Sequence, residues 1–269
     1  MLFSIIITHY KTPDLLKLCL KSIQENTQNL PKEIFVVDSA ADEETEEFIK
    51  NDFPEISYIS FKKDVGFAKL VNAGLSGARG NYVLILNADM ILTKGCLNKM
   101  VDYLSTRPEV GLLGPQLLNF DSTIQKSCFR FYRPQTIIYR RTFLGKSKRG
   151  QKHLNGFLMS DFDHQSVREV DWLMGTALLA KKEIIEKIGG MDERFFMYFE
   201  DVDWCRRFWK NNYKVIYYPE AKMYHYHGQN SKKTGGLTDL FLTKYTWIHL
   251  ASAVKYFWKW RKDKIINKK

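Results

Sequence analysis

The chain contains no apolar run approaching the ~18 residues that a membrane-crossing helix requires. Its start, Met1-Leu-Phe-Ser-Ile-Ile-Ile-Thr8, lacks the basic stretch and small-residue cleavage site of a secretory leader, and reads as a first strand. Cysteine is scarce. Cys19, Cys96, Cys128 and Cys205 are scattered with no Cys-x-x-Cys pair, so neither a zinc signature nor a disulfide framework is present, and reduced cytosolic thiols are expected. The glycine signatures of nucleotide chemistry are missing too. No GxxxxGK[ST] loop and no GxGxxG after a strand occurs, which counts against P-loop nucleotidases and dinucleotide oxidoreductases, and there is no GxSxG elbow.

What is present supports a folded domain. A hydrophobic content of 45% suffices for a full core, and 269 residues suit one large α/β domain or a domain with an appendage. The formal charge of +11 is concentrated in two blocks. Residues 122–160 hold nine basic side chains and no acid, and residues 244–269 hold eight basic side chains against the single acid Asp263. Such blocks imply an anionic partner: a nucleotide, a lipid diphosphate, a membrane surface or nucleic acid. Nucleic acid is disfavoured, because the charge is segmental and no nucleic-acid motif accompanies it.

Through residue 115 the pattern alternates short apolar runs with amphipathic stretches. Strands are expected at Phe3 to Thr8, Glu33 to Val37, Ile56 to Phe61 and Val83 to Leu86. Helices are expected between them, at Asp14 to Asn26, Asp42 to Asn51 and Gly66 to Ala78. That alternation predicts a mostly parallel, doubly wound sheet. Residues 120–165 are basic, aromatic and weakly periodic, which suggests a surface subregion or mobile loop rather than core. Order resumes with a strand-like run from Val170 to Ala180. Helices follow at Lys182 to Ile188 and Asp201 to Asn211, then a strand at Lys214 to Tyr218, Pro219 and the cluster His225-Tyr226-His227.

Acids recur where strands end or loops turn: Asp38, Asp64, Asp89, Asp171, Asp192, Glu200 and Asp201. Ligands of open α/β sheets collect outside the carboxyl ends of the strands, so Asp38 and Asp89 would share one rim. Carboxylates there suit Mg²⁺ or Mn²⁺ holding a nucleoside diphosphate, and a histidine ligand tilts the choice toward Mn²⁺. The plainer reading of Asp89 is a cap on the next helix, and of Glu200 and Asp201 ordinary acids of a helix first turn. The aromatic run Phe195-Phe-Met-Tyr-Phe199 ahead of Glu200 offers an apolar wall, where desolvation would raise a carboxyl pKa toward that of a working general base.

These pieces together resemble a known family. Ser4-Ile-Ile-Ile-Thr-His-Tyr10, Val36-Val-Asp-Ser39, Asp64-Val-Gly-Phe-Ala-Lys-Leu-Val-Asn-Ala-Gly74 and Gly80-Asn-Tyr-Val-Leu-Ile-Leu-Asn-Ala-Asp89 come in its order. Asp171-Trp-Leu-Met-Gly-Thr-Ala177 and Gly190-Met-Asp-Glu-Arg-Phe-Phe-Met-Tyr-Phe-Glu-Asp-Val-Asp203 follow. The chain resembles the bacterial glycosyltransferase family 2 enzymes of GT-A fold, within them the rhamnosyltransferase-like branch of cell-surface polysaccharide synthesis. The resemblance covers about residues 3 to 231. It implies a Rossmann-like α/β domain over residues 1–231, with a nucleotide-binding half at 1–115 and an acceptor-binding half at 116–231, followed by a basic aromatic helical tail at 232–269.

By the same resemblance, Thr8, Asp38, Asp64 and Asn87 fall in the nucleotide pocket. Asp89 matches the metal-holding Asp, with His225 a further metal or diphosphate contact and His227 a less direct stand-in. Asp201, with Glu200 beside it, matches the general base of an inverting transfer. Asp171 and Trp172 match the acceptor and sugar pocket. Asn87 stands where many relatives carry a second carboxylate, leaving one from that motif on the metal. The implied reaction moves a sugar, rhamnose from dTDP-rhamnose as the first choice, onto a glycan or polyprenyl-diphosphate-linked acceptor. The alternatives are a UDP-sugar donor or a non-catalytic nucleotide-sugar-binding module.

Arg130 and Arg133, with Arg140 and Arg141, suit the acceptor's diphosphate; a solvated basic loop is the plainer reading. From Leu240 to Lys264 the tail sets Leu240, Trp247, Ala251, Val254 and Trp258 on one helical face beside lysines. Two fates fit: a peripheral helix on the inner face of the cell membrane of a cytoplasmic enzyme, or a helix packed back on the domain.

Overall fold

The computed structural model describes residues 2–226 and 244–263. Its first half follows the expected alternation: β1 (Phe3–His9), α1 (Pro13–Asn26), β2 (Lys32–Ser39), α2 (Glu43–Asp52), β3 (Ser57–Phe61), α3 (Phe67–Gly77) and β4 (Tyr82–Asn87). These strands pair in parallel in the order β3-β2-β1-β4. Side chains alternate across the sheet, so Ile5 and Ile7 pack with Leu16, Leu20 and Ile49 while Ile6 packs with Leu70 and Val71 on the opposite face. A strand buried on both faces needs an unbroken apolar sequence, which is why these strands read so clearly.

The second half comprises β5 (Met90–Leu92), α4 (Cys96–Ser105), β6 (Val110–Leu118), β7 (Ile124–Gln125), β8 (Cys128–Phe129), α5 (Pro134–Arg141) and a 3-10 turn, Phe143–Lys146. Then come α6 (Lys148–Phe157), β9 (Arg168–Glu169), β10 (Trp172–Leu173), β11 (Ala177–Lys181), α7 (Lys182–Ile188), α8 (Glu200–Lys210), β12 (Lys214–His225) and α9 (Lys244–Lys259). Here the sheet turns mixed. β11 inserts antiparallel between β4 and β6, β12 runs parallel to β6, and β5 closes the far edge antiparallel to β12.

Three expectations are corrected. The run from Val170 to Ala180 is not one strand. Its start forms β10, paired with β8 in a separate two-stranded sheet, and its end enters the main sheet as β11. Residues 120–165 are not merely surface: Phe129 and Tyr132 are buried and stack with Trp172, at 4.6 Å between the Phe129 and Trp172 rings, and buried Phe157 packs on both of them. The short helices here bury only Thr136 in α5 and Gly150 and Phe157 in α6, too few to set up a periodicity. β12 does not stop at Tyr218. It slips register between Tyr218 and Lys222 and continues to His225, a bulge that accommodates the missing N–H of Pro219.

α9 packs back on the domain through His249, Ser252, Ala253 and Tyr256, all buried. No helix among the described residues is long and apolar enough to cross a membrane. All four cysteines are free and buried. Of the tail, residues 227–243 and 264–269, with His227 and Leu240, lie outside the described residues.

Candidate active site

A cleft of about 240 Å³ opens at the carboxyl ends of β1 and β4, lined among others by Thr8, Asp64, Phe67, Asn87, Asp89 and Met197. Parallel pairing puts Thr8 opposite Asn87, and the Thr8 hydroxyl donates to Asn87 Oδ1 at 3.1 Å. That bond turns the amide oxygen away and leaves the amide N–H groups for a ligand. Asp64 Oδ1 accepts from the Ser39 hydroxyl and the Gly66 N–H, both at 3.2 Å, which holds it at the cleft wall.

Asp38 is placed differently from the expectation. It is buried and does not line the cleft: Tyr58 OH donates to its Oδ2 at 2.7 Å, and His9 Nδ1 lies 2.8 Å from its Oδ1. The Thr12 N–H donates to His9 Nε2, so the proton sits on Nδ1, facing the carboxylate. Asp38 therefore reaches the cleft only through His9, which does line it.

Asp89 ends the β4 turn with its Oδ1 buried and without a hydrogen-bond partner, and its Oδ2 lies 3.4 Å from His225 Nε2. Antiparallel pairing of β5 with β12 brings them together, because His225 sits opposite Met90. His225 Nδ1 is 2.5 Å from Gln125 Oε1, a carbonyl acceptor, which orients the ring with Nε2 toward Asp89. A carboxylate oxygen beside a histidine ring nitrogen fits a divalent cation completed by diphosphate oxygens and water. Among the described residues no group of three or more His, Cys, Asp or Glu side chains is gathered for a metal.

The second half of the site is the corner before α8. Tyr198 and Phe199 are both left-handed, at φ 68° and 70°, a conformation costly for bulky side chains. The corner sets Glu200 and Asp201 in the first turn of α8, where the helix dipole favours negative charge. Asp201 Oδ2 accepts from the Gly175 N–H at 3.1 Å and Oδ1 from its neighbour Val202 N–H at 2.8 Å. A Cβ on Gly175 would come 2.9 Å from the Phe67 ring, so glycine lets that cleft-lining ring pack closely on the segment that holds Asp201. One residue on, Thr176 C=O accepts the Asn87 N–H at 3.0 Å, tying this segment to the end of β4.

Burial raises the pKa of Asp201, opposed by those backbone donors. Glu200 is raised further, by burial and then by Asp201's charge, and its Oε2 has no hydrogen-bond partner. The two environments push Glu200 further above the ordinary carboxylate range than Asp201.

What holds the corner was not foreseen from the sequence. Ser252 of α9 donates to Met197 C=O at 2.9 Å, and the His249 and Tyr256 rings lie 5.3 and 5.2 Å from that of Phe199. Lys259 Nζ bridges Asp192 and Asp203, 2.7 Å from each, so Asp192 serves structure rather than the cleft. The expected acceptor residues divide. Trp172 is only 7% exposed, donates to Arg130 C=O at 2.9 Å and is sandwiched in the ring stack, so it floors the region and does not line the cleft. Asp171 accepts from Phe131 N–H at 2.8 Å and pairs with Arg130 at 3.3 Å; burial raises its pKa. Arg133 lies exposed at the start of α5. This segment adjoins the corner, since the Tyr132 ring lies 4.7 Å from that of Phe199.

The mixed, mostly parallel sheet carries a carboxylate–histidine pair at its rim, and a buried acid starts α8. The profile of Glycosyl transferase family 2 matches residues 4–174, and the chain belongs to that family. It is 24% identical over 257 residues to N-acetylglucosaminyl-diphospho-decaprenol L-rhamnosyltransferase of Mycobacterium tuberculosis, covering 85% of this chain and 78% of the relative. It is also 24% identical over 217 residues to the low-salt glycan biosynthesis hexosyltransferase Agl10 of Haloferax volcanii, covering 79% and 63%. In fold it matches GalNAc-T7, solved with UDP, GalNAc and Mn²⁺, with a TM-score of 0.62 at 14% identity. That match takes in 84% of this chain and 44% of that one. The architecture is the GT-A fold.

Proposed function

We propose that the protein is an inverting glycosyltransferase that moves a sugar, with rhamnose from dTDP-rhamnose the first choice, onto a polyprenyl-diphosphate-linked glycan at the cytoplasmic side of the cell membrane. The observation that carries this reading is the arrangement around one cleft. Asp89 lines the cleft and meets His225, and Asp201 is bonded to the Gly175 N–H, one residue before Thr176, whose C=O accepts the N–H of the cleft residue Asn87. The rhamnosyltransferase relative supports the sugar and the lipid-linked acceptor.

Asp201, ionised, takes the proton of the acceptor hydroxyl as that oxygen bonds to the anomeric carbon. The bond from the anomeric carbon to the diphosphate breaks in the same displacement, inverting the centre and releasing the nucleoside diphosphate. A divalent cation bound by Asp89 and His225 would hold the donor diphosphate and offset the charge that grows on it. Asn87 and Asp64 face the nucleotide, while Asp38 keeps His9 in its tautomer and so acts on the pocket at one remove. Glu200, protonated, keeps negative charge from accumulating beside the base.

A transfer and hydrolysis screen over dTDP-rhamnose and UDP-sugars, with and without Mn²⁺, tests the reading; turnover of none of them would overturn it. Asp89→Ala is expected to cut kcat/KM by roughly 10²–10³-fold, the usual loss when one group opposing transition-state charge is removed. It should also weaken Mn²⁺ binding to the donor complex. Unchanged Mn²⁺ dependence would remove Asp89 from the metal role. Replacing Arg130 and Arg133 together by alanine is expected to raise the acceptor KM about tenfold, the loss of one charge-assisted contact, and to leave the donor KM unchanged. A shift in the donor KM instead would place these arginines on the nucleotide side.

A further inference from the structure

The catalytic corner is clamped by the inner face of α9, and the outer face of the same helix is unusual. Trp247 is 60% and Trp258 68% exposed, with Val254 between them. They lie on the face that the sequence pattern marked as apolar, yet the helix buries its other side. The charged neighbours on the exposed side are basic, Lys244, Lys255, Arg261 and Lys262. The acid in this stretch, Asp263, is engaged with Lys210 at 3.2 Å.

A second segment has the same character. The turn Phe143–Lys146 after α5 presents Phe143, at 75% exposure, and Leu144, within the 122–160 stretch that holds no acid. Arg141 Nη1 at the end of α5 donates to Thr246 Oγ1 of α9 at 3.1 Å, so the turn and the start of the helix are neighbours. Lys146, Lys148 and Arg149 supply the exposed charge beside the turn. Two segments far apart in sequence are thus brought together, each offering large apolar side chains set among cations.

We infer that the outer face of α9 and the Phe143–Lys146 turn form one docking surface for an anionic lipid bilayer. Aromatic and aliphatic side chains enter the headgroup–acyl boundary while lysine and arginine pair with acidic headgroups, so both chemistries act at once. Charge complementarity selects the bilayer, since neither segment offers an unengaged acid to a basic partner. The surface lies on the back of the elements that hold the catalytic corner: α9 contacts Met197 and Phe199, and Tyr132, two residues before α5, contacts Phe199. Docking there would bring Asp201 to a lipid-linked acceptor, and in that respect the inference rests on the proposed function.

Flotation of the full chain on vesicles of phosphatidylcholine, alone or mixed with phosphatidylglycerol, tests the surface without reference to activity. Binding to the mixed vesicles is expected, with little to phosphatidylcholine alone. Trp247→Ser with Trp258→Ser, and separately Phe143→Ser with Leu144→Ser, should each weaken it at least about tenfold. Thermal unfolding is expected to be unchanged, because these side chains are exposed. Wild-type protein that fails to float with the mixed vesicles overturns the inference, and so does a turn variant that floats like wild type. A wild-type dimer in light scattering that the tryptophan variant dissolves would reassign the face to self-association. Turnover of a water-soluble acceptor by both variants at the wild-type rate, with loss confined to a bilayer-embedded acceptor, supports the surface. A protein that floats but transfers no sugar leaves the surface standing and overturns the proposed activity.

Discussion

Replacing Asp201 by asparagine is expected to lower kcat by roughly 10²–10⁴-fold, the contribution of a positioned general base. Binding of donor nucleotide should be nearly unchanged. The substitution keeps the size of the side chain and one of the two acceptors that face Gly175 and Val202 N–H. Its structural cost is therefore about 1 kcal/mol, one backbone hydrogen bond, and the fall in rate reports the lost basicity. Steady-state kinetics, with calorimetric titration of the nucleoside diphosphate, separate the two. A kcat within a few-fold of wild type would move the base elsewhere.

The pH profile gives a second reading of the same group. Burial raises the Asp201 pKa above the ordinary aspartate value of 3.8, and the base works ionised. Activity should therefore be lost as pH falls through this raised value, so that the acid limb of kcat/KM lies higher than for an exposed aspartate. Asp201→Asn should abolish that limb. A limb persisting in the variant would belong to another group.

The largest stability effect is expected two residues further on. Asp203 is fully buried, and its carboxylate receives Lys259, Arg207 Nε at 3.0 Å and Trp260 Nε1 at 2.8 Å. Asp203→Ala removes the anion from a buried, hydrogen-bonded cluster and strips Lys259, Arg207 and Trp260 of their shared partner. Such losses cost about 3–5 kcal/mol. At 2–4 °C per kcal/mol for a chain of this size, Tm should fall on the order of 10 °C. α9 should loosen first, since Asp203 is where Lys259 and Trp260 converge, and limited proteolysis should cut near it earlier than in wild type. A Tm within about 2 °C of wild type would show that the Lys259–Asp192 pair holds the helix by itself. Asp201 and Asp203 lie in the same helical turn, yet the first is expected to govern rate and the second stability, because one is bonded to Gly175 and the other to Lys259 and Trp260.

Much of the nucleotide half was legible in the sequence. Buried parallel strands demand unbroken apolar runs, so β1, β2 and β4 announce themselves, and polar residues at their ends fall on the sheet rim by the geometry of parallel pairing. Asp89 is placed that way, whereas Thr8 and Asn87 enter the pocket through the family resemblance. Asp38 was placed on the right rim but not in the cleft, because its partners His9 and Tyr58 come from neighbouring strands and no local pattern records who neutralises a buried acid. The roles of Gln125 and Gly175 were equally hidden: the first depends on β7 reaching His225 across a hundred residues, the second on how closely Phe67 and Asp201 approach.

The sequence by itself determined a doubly covered α/β sheet, a rim carrying Asp89 and an acidic helix start at Glu200 and Asp201, because these follow from local periodicity and the chemistry of strand ends. Only the tertiary structure decided that β11 enters antiparallel, that β12 runs on through a bulge to bring His225 to Asp89, and that α9 clamps the corner before Asp201. The orientation of α9 gives the physical reason. Its sequence shows an apolar face of Trp247, Ala251, Val254 and Trp258, yet it buries His249, Ser252 and Tyr256. The domain supplies Met197 C=O, Arg206 and the Phe199 ring as partners for those polar and polar-tipped side chains. Which face of a helix is buried depends on what it meets, and the partners of α9 lie fifty residues away in the chain.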